Sequence, residues 1–182
     1  MVCLSEEMNT RLKNKILDQE RLTKILNEHR HQGHSIVLII GTWDMLHLGH
    51  LRTLNEAKKL GDILVVGVDS DRVVKIRKGA ARPIIPQGQR MTMLAHQQCV
   101  SSITLIDDLD EHGMWQLGLL KAVRPDVFAY CKGSFPRERL CCIKRFCKRA
   151  VPLSYQEGGS TSSIIRTILE RHRLYAKTPV ER

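Results

Sequence analysis

The sequence predicts an α/β fold, a doubly wound parallel sheet with helices on both faces and an N-terminal helical extension. Three observations carry this. Apolar runs rich in Val and Ile recur at 35–40, 63–68, 102–106 and 127–131, with the length and composition of strands buried on both faces. The segments between them place apolar residues at helical spacing, and strand, helix and strand in that order form right-handed crossovers of a parallel sheet. Finally, histidine- and glycine-rich turns follow the first run and open the last helix, at the carboxyl ends of strands where such sheets bind ligands.

Residues 1–34 are expected to form the helical extension. Asp18 can cap a helix carrying Leu22, Ile25 and Leu26, and Gly33 can close it after His29 and His31. Packing or formation of a homodimer is the role that fits it. The domain proper is expected over residues 35–170, with a basic tail over 171–182.

The first strand, Ser35–Ile40, runs into Gly41-Thr42-Trp43-Asp44-Met45-Leu46-His47-Leu48-Gly49-His50. From Leu51 the apolar positions Leu51, Leu54, Ala57 and Leu60 define a helix, so His50 falls at a helix N-terminus. Two imidazoles three residues apart, with no side chain at Gly49, leave room for a phosphate to approach backbone N–H groups and the positive end of the helix dipole.

Gly61-Asp62 then turns the chain into the second strand, Ile63–Val68, which ends in Asp69-Ser70-Asp71. Val74–Arg90 is expected to be a basic loop pinned by Pro83 and Pro86, able to carry Lys75, Arg77 and Lys78 over phosphates bound at the first loop. A helix is expected over Gln87–Gln98, a strand over Ser102–Ile106, a helix over Met114–Val123 and a strand over Val127–Cys131. Lys132-Gly133-Ser134, a basic helix and a short strand at Val151–Tyr155 follow. Gly158-Gly159-Ser160-Thr161-Ser162-Ser163 opens a last helix with Ile164, Ile165 and Ile168. Glycines followed by hydroxyls at a helix start suit a phosphate, although capping by Ser160 or Thr161 alone would explain them.

The formal charge of +10 over 182 residues favours polyanionic ligands, whether nucleotides, sugar phosphates or nucleic acid. Much of it lies at Lys132–Arg149, where Glu138 is the only acidic residue; this stretch is either a solvated helix face or a nucleic-acid surface. The six cysteines form no Cys-x-x-Cys pair, as in reduced cytosolic proteins, and no run is long enough to span a membrane. A zinc site built from Cys141, Cys142, Cys147 and a histidine is an alternative. The expected location is cytoplasmic. Walker, Gly-x-Gly-x-x-Gly and Gly-x-Ser-x-Gly motifs are absent, which removes the readings that depend on them.

With these pieces in order, the chain from about Leu17 to Leu169 resembles the cytidylyltransferase-like nucleotidyltransferase superfamily of the His-x-Gly-His type. The anchors are Gly41–Asp44 with His47–His50, Lys59–Asp62, Asp69–Asp71, Lys78-Gly79 with Arg82–Pro86 and Arg90, and Ser160–Ile165. Within the superfamily it is similar to the adenylyltransferase domain that makes ADP-heptose. It departs from that domain at Ser134-Phe135-Pro136, where an acidic residue is expected. It also has Tyr155–Gly158 where cytidylyltransferases for glycerol 3-phosphate and related phosphoalcohols carry Arg-Thr-x-Gly.

The resemblance implies a Rossmann-like sheet and an enzyme that joins a nucleoside monophosphate, from ATP or else CTP, to a phosphorylated acceptor, releasing pyrophosphate. The acceptor it implies is a sugar 1-phosphate of the heptose type, with a phosphoalcohol as alternative. His47, His50, Lys75 and Lys78 would be catalytic. Thr42, Trp43, Asp44, Gly49, Asp69, Arg77, Arg90, Lys132, Gly133, Ser160, Thr161 and Ser162 would bind the nucleotide. Mg²⁺ would arrive with the triphosphate, with no metal ligand in the protein. A nucleotide sensor without turnover, or a nucleic-acid-binding protein using Lys132–Arg149, remains the competing class.

Overall fold

The computed structural model describes residues 12–110, 114–154 and 159–175. Five parallel strands form one sheet in the order β3-β2-β1-β4-β5, with β1 at Ile36–Gly41, β2 at Ile63–Asp69, β3 at Ser102–Ile106, β4 at Val127–Cys131 and β5 at Arg149–Leu153. The predicted parallel, doubly wound sheet is thus found. Alternation of side chains along each strand supplies both faces. Val37 and Ile39 of β1 join one apolar cluster with Leu64, Val66 and Val68 of β2, and Ile36 and Leu38 join the other with Val65. Such runs are apolar at every position because neither face meets water.

Helix α1 (Gln19–His31) starts where Asp18 accepts a hydrogen bond from the Arg21 N–H at 2.8 Å. It buries Leu22 and Leu26 on the same face as α5 (Gly118–Val123) and Ile143 of α6 (Arg137–Lys144). The opposite face is covered by α2 (Leu48–Lys58), through Leu54 and Ala57, and α4 (Gln87–Ala95), through Met91, Leu94 and Ala95. Strand order reverses between β1 and β4, and a crevice opens beyond their carboxyl ends, the usual ligand position in such sheets.

Four expectations are corrected. The basic loop expected at Val74–Arg90 is helix α3 (Asp71–Lys78) as far as Lys78. Ser70 caps it by accepting from the Val73 N–H at 3.1 Å, Val73 and Val74 bury its inner face, and Gly79 ends it at a φ of +93°. The expected helix Met114–Val123 is helical only from Gly118, because Trp115 pairs as a bridge with Leu109 and Leu117 adopts a left-handed φ of 62°. The helix expected to reach Gln98 stops at Ala95. The last strand begins at Arg149, paired with Val127, rather than at Val151; the expected end at Tyr155 lies outside the described residues, as do Gln156–Gly158. Helix α7 (Thr161–Tyr175) opens beside the crevice.

Candidate active site

His47 is the residue before the first turn of α2, with φ −134° and no side-chain capping bond, and His50 lies in that turn. The N–H groups of the turn are therefore free of a side-chain cap, as an anion site requires. The two imidazoles stack with ring centroids 3.8 Å apart, and the Trp43 ring meets His50 edge-on at 5.3 Å. Gly49 makes this approach feasible. A Cβ there would stand 3.1 Å from the His47 ring and 3.1 Å from the Gly159 carbonyl, where the start of α7 comes up against the start of α2.

Both rings are held neutral. Burial, with the neighbouring His47 and Lys78 adding to it, lowers His50 to about 4, and burial lowers His47 as well. The Nδ1 atoms of both are buried without a hydrogen-bond partner. Placing the single proton of each neutral ring on Nε2 avoids stranding an N–H in the interior. The pair thus offers N–H donors, not a fixed double charge.

Two cavities meet here. The larger, about 640 Å³, is lined by His47, Gly49, His50, Lys78, Arg82, Lys132, Gly133 and the Gly159–Ser162 helix start, among others. The smaller, about 300 Å³, is lined by Thr42, Trp43, Asp69 and Arg77 together with Ile39, Ile40, Tyr130 and Phe135, among others. They share His50, Thr53, Lys78, Cys131 and Ser134. Burial and the nearby Arg82 lower the Lys78 amine below its ordinary value.

The other expected site residues divide in two. His47, His50, Gly49, Thr42, Trp43, Asp69, Arg77, Lys78, Lys132, Gly133, Ser160, Thr161 and Ser162 all line one cavity or the other. Lys75, Asp44 and Arg90 line neither. Lys75 is exposed on α3. Asp44, 1% exposed, accepts from the backbone N–H groups of Ile84 and Ile85 and pairs with Arg82 at 2.8 Å. Burial pushes its pKa up, but these donors outweigh it and hold the carboxyl below its ordinary value.

Arg90, equally buried, donates to the carbonyls of Ile85, Thr42 and Asp69 and to the Asp71 carboxylate. These two residues shape the loop behind the cavities. The hydroxyls of α7 are also partly engaged. Ser160 accepts from the Ser163 N–H at 3.1 Å, which is the capping alternative raised above, and Thr161 donates to the Asp44 carbonyl at 2.8 Å.

Sequence reasoning missed Thr53, Arg82, Cys131, Ser134, Tyr130 and Phe135. Thr53 stands one turn beyond His50 on the same helix face, a spacing that could have found it. Cys131 and Ser134 flank the noticed Lys132-Gly133, and Arg82 belongs to a noticed motif. Among the described residues no group of three or more His, Cys, Asp or Glu side chains is placed to hold a metal, and Cys141 and Cys142 are exposed free thiols.

Comparison with known proteins matches residues 38–135, more than half of the chain, to the cytidylyltransferase-like family. The chain belongs to that family. This cytidylyltransferase-like chain is an enzyme of the nucleotidyltransferase type. It is 37% identical over 158 residues to the bifunctional protein HldE of Helicobacter hepaticus, covering 86% of this chain and 31% of the relative. It is 33% identical over 157 residues to that of Campylobacter jejuni, covering 86% and 32%. The chain thus spans about a third of the length of these relatives.

Among solved structures it is similar to a lipopolysaccharide core biosynthesis protein from Thermoplasma volcanium. That likeness has a TM-score of 0.55 and 27% identity, and covers 70% of this chain and all of the other. A pantoate-beta-alanine ligase from Francisella tularensis shares the fold at a TM-score of 0.57 and 15% identity, with 92% and 81% covered. No helix among the described residues is long and apolar enough to cross a membrane.

Proposed function

We propose that this transferase joins a nucleoside monophosphate, from ATP in preference to CTP, to the phosphate of a small acceptor and releases pyrophosphate. The observation that carries the reading is the shared wall: two cavities of unequal size meet at His50 and Lys78. The larger, with two helix starts converging on it, suits the triphosphate, and the smaller suits the acceptor. The preference for ATP rests on the resemblance to the ADP-heptose-forming domain. The same resemblance makes a heptose 1-phosphate the first sugar phosphate to assay.

In the reaction, an oxygen of the acceptor phosphate attacks the α-phosphorus of the nucleotide. A new P–O bond forms there while the bond from the α-phosphorus to the bridging oxygen breaks, and pyrophosphate leaves with that electron pair. Little covalent help is needed; the protein positions the partners and neutralises charge on the equatorial and leaving oxygens. His47 and His50 donate to the α- and β-phosphate oxygens, with Lys78 at the junction. Arg77, in the smaller cavity, holds the acceptor phosphate. Lys132, Gly133, Ser162 and the α7 N–H groups receive the nucleotide.

Magnesium would arrive with the triphosphate, as part of the substrate. Asp69, the carboxylate in the smaller cavity, is engaged by the Thr42 hydroxyl at 3.1 Å and by Arg77 at 3.5 Å. The ion supplies further neutralisation of the triphosphate.

The test is pyrophosphate release with Mg²⁺, each of the four nucleoside triphosphates and a panel of phosphomonoesters, beside the His47→Ala/His50→Ala protein. Release with one nucleotide, abolished in the double variant, is the expected result. Release that survives both substitutions, or no binding of any nucleotide, would remove the assignment.

A further inference from the structure

A second histidine pair lies at the opposite end of the sheet from the first. His29 is in the last turn of α1, and Gly33, at a φ of +80°, turns the chain back past it. The Gly33 N–H then donates to the Arg30 carbonyl at 2.9 Å, and the His34 N–H to the His29 carbonyl at 3.0 Å. These two hydrogen bonds close the helix and bring the residue after the glycine onto the one five positions earlier. Here both are histidines. Their rings meet with centroids 5.3 Å apart at an angle of 58°, and the two Nδ1 atoms face each other at 3.3 Å.

Two ring nitrogens at that separation need a positive particle between them. A proton on one Nδ1 supplies it as an N–H···N hydrogen bond; with both protons on Nε2, a metal ion takes that place. The spacing fits the second arrangement, because nitrogens about 2.0–2.1 Å from a tetrahedral zinc ion stand about 3.3–3.4 Å apart. Imidazole suits zinc, copper and nickel, whereas magnesium and calcium seek oxygen.

The surroundings also favour a cation. The carbonyl end of α1 carries the negative end of the helix dipole. Asp62 is near enough to His34 to feel its charge, and it fixes the backbone beside His34 by accepting from the Ser35 N–H at 2.9 Å and hydroxyl at 2.6 Å. The Arg30 guanidinium is engaged by the Asn27 side chain and the Val123 carbonyl. Of the other cations bordering the hollow beside His34, Lys148 is paired with Asp126 at 2.7 Å, which leaves Arg124. Since the backbone already holds both rings in place, a ligand has little ordering left to impose.

We propose that His29 and His34 form a two-imidazole site for a divalent ion of the zinc class, with water in its remaining positions, that clamps the end of α1 to the start of β1. Closed structural zinc sites use four protein ligands; with two, binding is reversible. Strand β1 spans six residues, so a strand length of about 20 Å separates this site from His47 and His50, and the ion is structural. His31, exposed two residues on from His29, is out of reach, since positions i and i+2 do not face each other on a helix.

The test titrates the full chain with Zn²⁺ alone, in a Cys141→Ser/Cys142→Ser background that removes the exposed thiols. Calorimetry should show a site weakened at least about tenfold by His29→Ala and by His34→Ala, and changed less than about twofold by His31→Ala. Zn²⁺ should raise the melting temperature of the parent more than that of His34→Ala. With all histidines in place, the ¹⁵N signals of both Nδ1 atoms should shift on titration while each Nε2 keeps its proton.

Zn²⁺ binding indifferent to His29→Ala and His34→Ala would overturn the proposal. So would equal weakening by His31→Ala, which would mean a loose attraction to any histidine of the stretch. Signals of Nε2 that shift in place of Nδ1 would overturn it too. The nitrogen measurement needs no histidine substitution, so it decides the matter even where a variant fails to fold.

Discussion

The His47–His50 pair and the Asp44–Arg90 cluster both border the turn after β1, Asp44 from three residues before His47 and Arg90 from α4 through the Thr42 carbonyl, yet they are built in opposite ways. Arg90 and Asp44 are buried with their hydrogen bonds satisfied by the protein. The histidines are buried on one edge with Nδ1 unpartnered, while the rings line the cavities. The difference separates two uses of polar residues. Satisfied ones hold a shape, and ones with unspent hydrogen-bonding capacity remain free to meet a ligand.

Breaking the shape should cost the most stability. Arg90→Ala removes the guanidinium from three carbonyls and from the Asp71 carboxylate, which keeps only the Gln87 N–H, so we expect a loss of about 3–5 kcal/mol. Chemical denaturation would measure it; a loss below 1 kcal/mol would show that the loop stands without its clamp. His50→Ala should behave in the opposite sense, losing at least a hundredfold in turnover, about 2.7–4 kcal/mol of barrier, with its unfolding midpoint retained. Measuring both proteins in both assays crosses the comparison.

Smaller changes sharpen it. Gly49→Ala adds a methyl group against the His47 ring and the Gly159 carbonyl while favouring helix by about 1 kcal/mol. Turnover is expected to fall about tenfold with stability nearly unchanged, the tenfold corresponding to ~1.4 kcal/mol of barrier. Lys75→Ala should alter kcat/KM less than twofold whereas Lys78→Ala, at the junction of the cavities, should lower it by much more; equal effects would mean that α3 turns its other side to the substrate.

The pH dependence is the finest test. His50 titrates near 4 in the folded protein against an ordinary 6.5, so the unfolded chain takes up its proton first as the pH falls. Its contribution to stability is therefore lost between about pH 6.5 and 4 and is unchanged above that window. Melting curves of His50→Gln should fall less steeply across that window than those of the parent.

How much of this the sequence disclosed depended on whether the signal was local. Strand positions were legible because a strand buried on both faces is apolar at every residue, and the sheet's polarity followed from the helices between strands. The His-x-Gly-His turn was legible because its spacing and the helix after it lie in one stretch. Helix α3 was hidden by its own charges: Arg72, Lys75, Arg77 and Lys78 outnumber the two valines that bury it, although Ser70 offered a capping signal. Arg90 reads from sequence as a ligand-binding cation, since nothing local says that four partners surround it. Tyr130 and Phe135 meet the first strand only through the β1–β4 pairing, so no window along the chain could have placed them in the cavity.

The central claim is that the wall shared by the two cavities is where the bond is made. Single-turnover measurement of the chemical step in His50→Asn, at saturating Mg·ATP and acceptor, tests it most directly. The account predicts a step slowed at least a hundredfold, with the Kd for Mg·ATP changed less than tenfold. A chemical step as fast as that of the parent protein would contradict it.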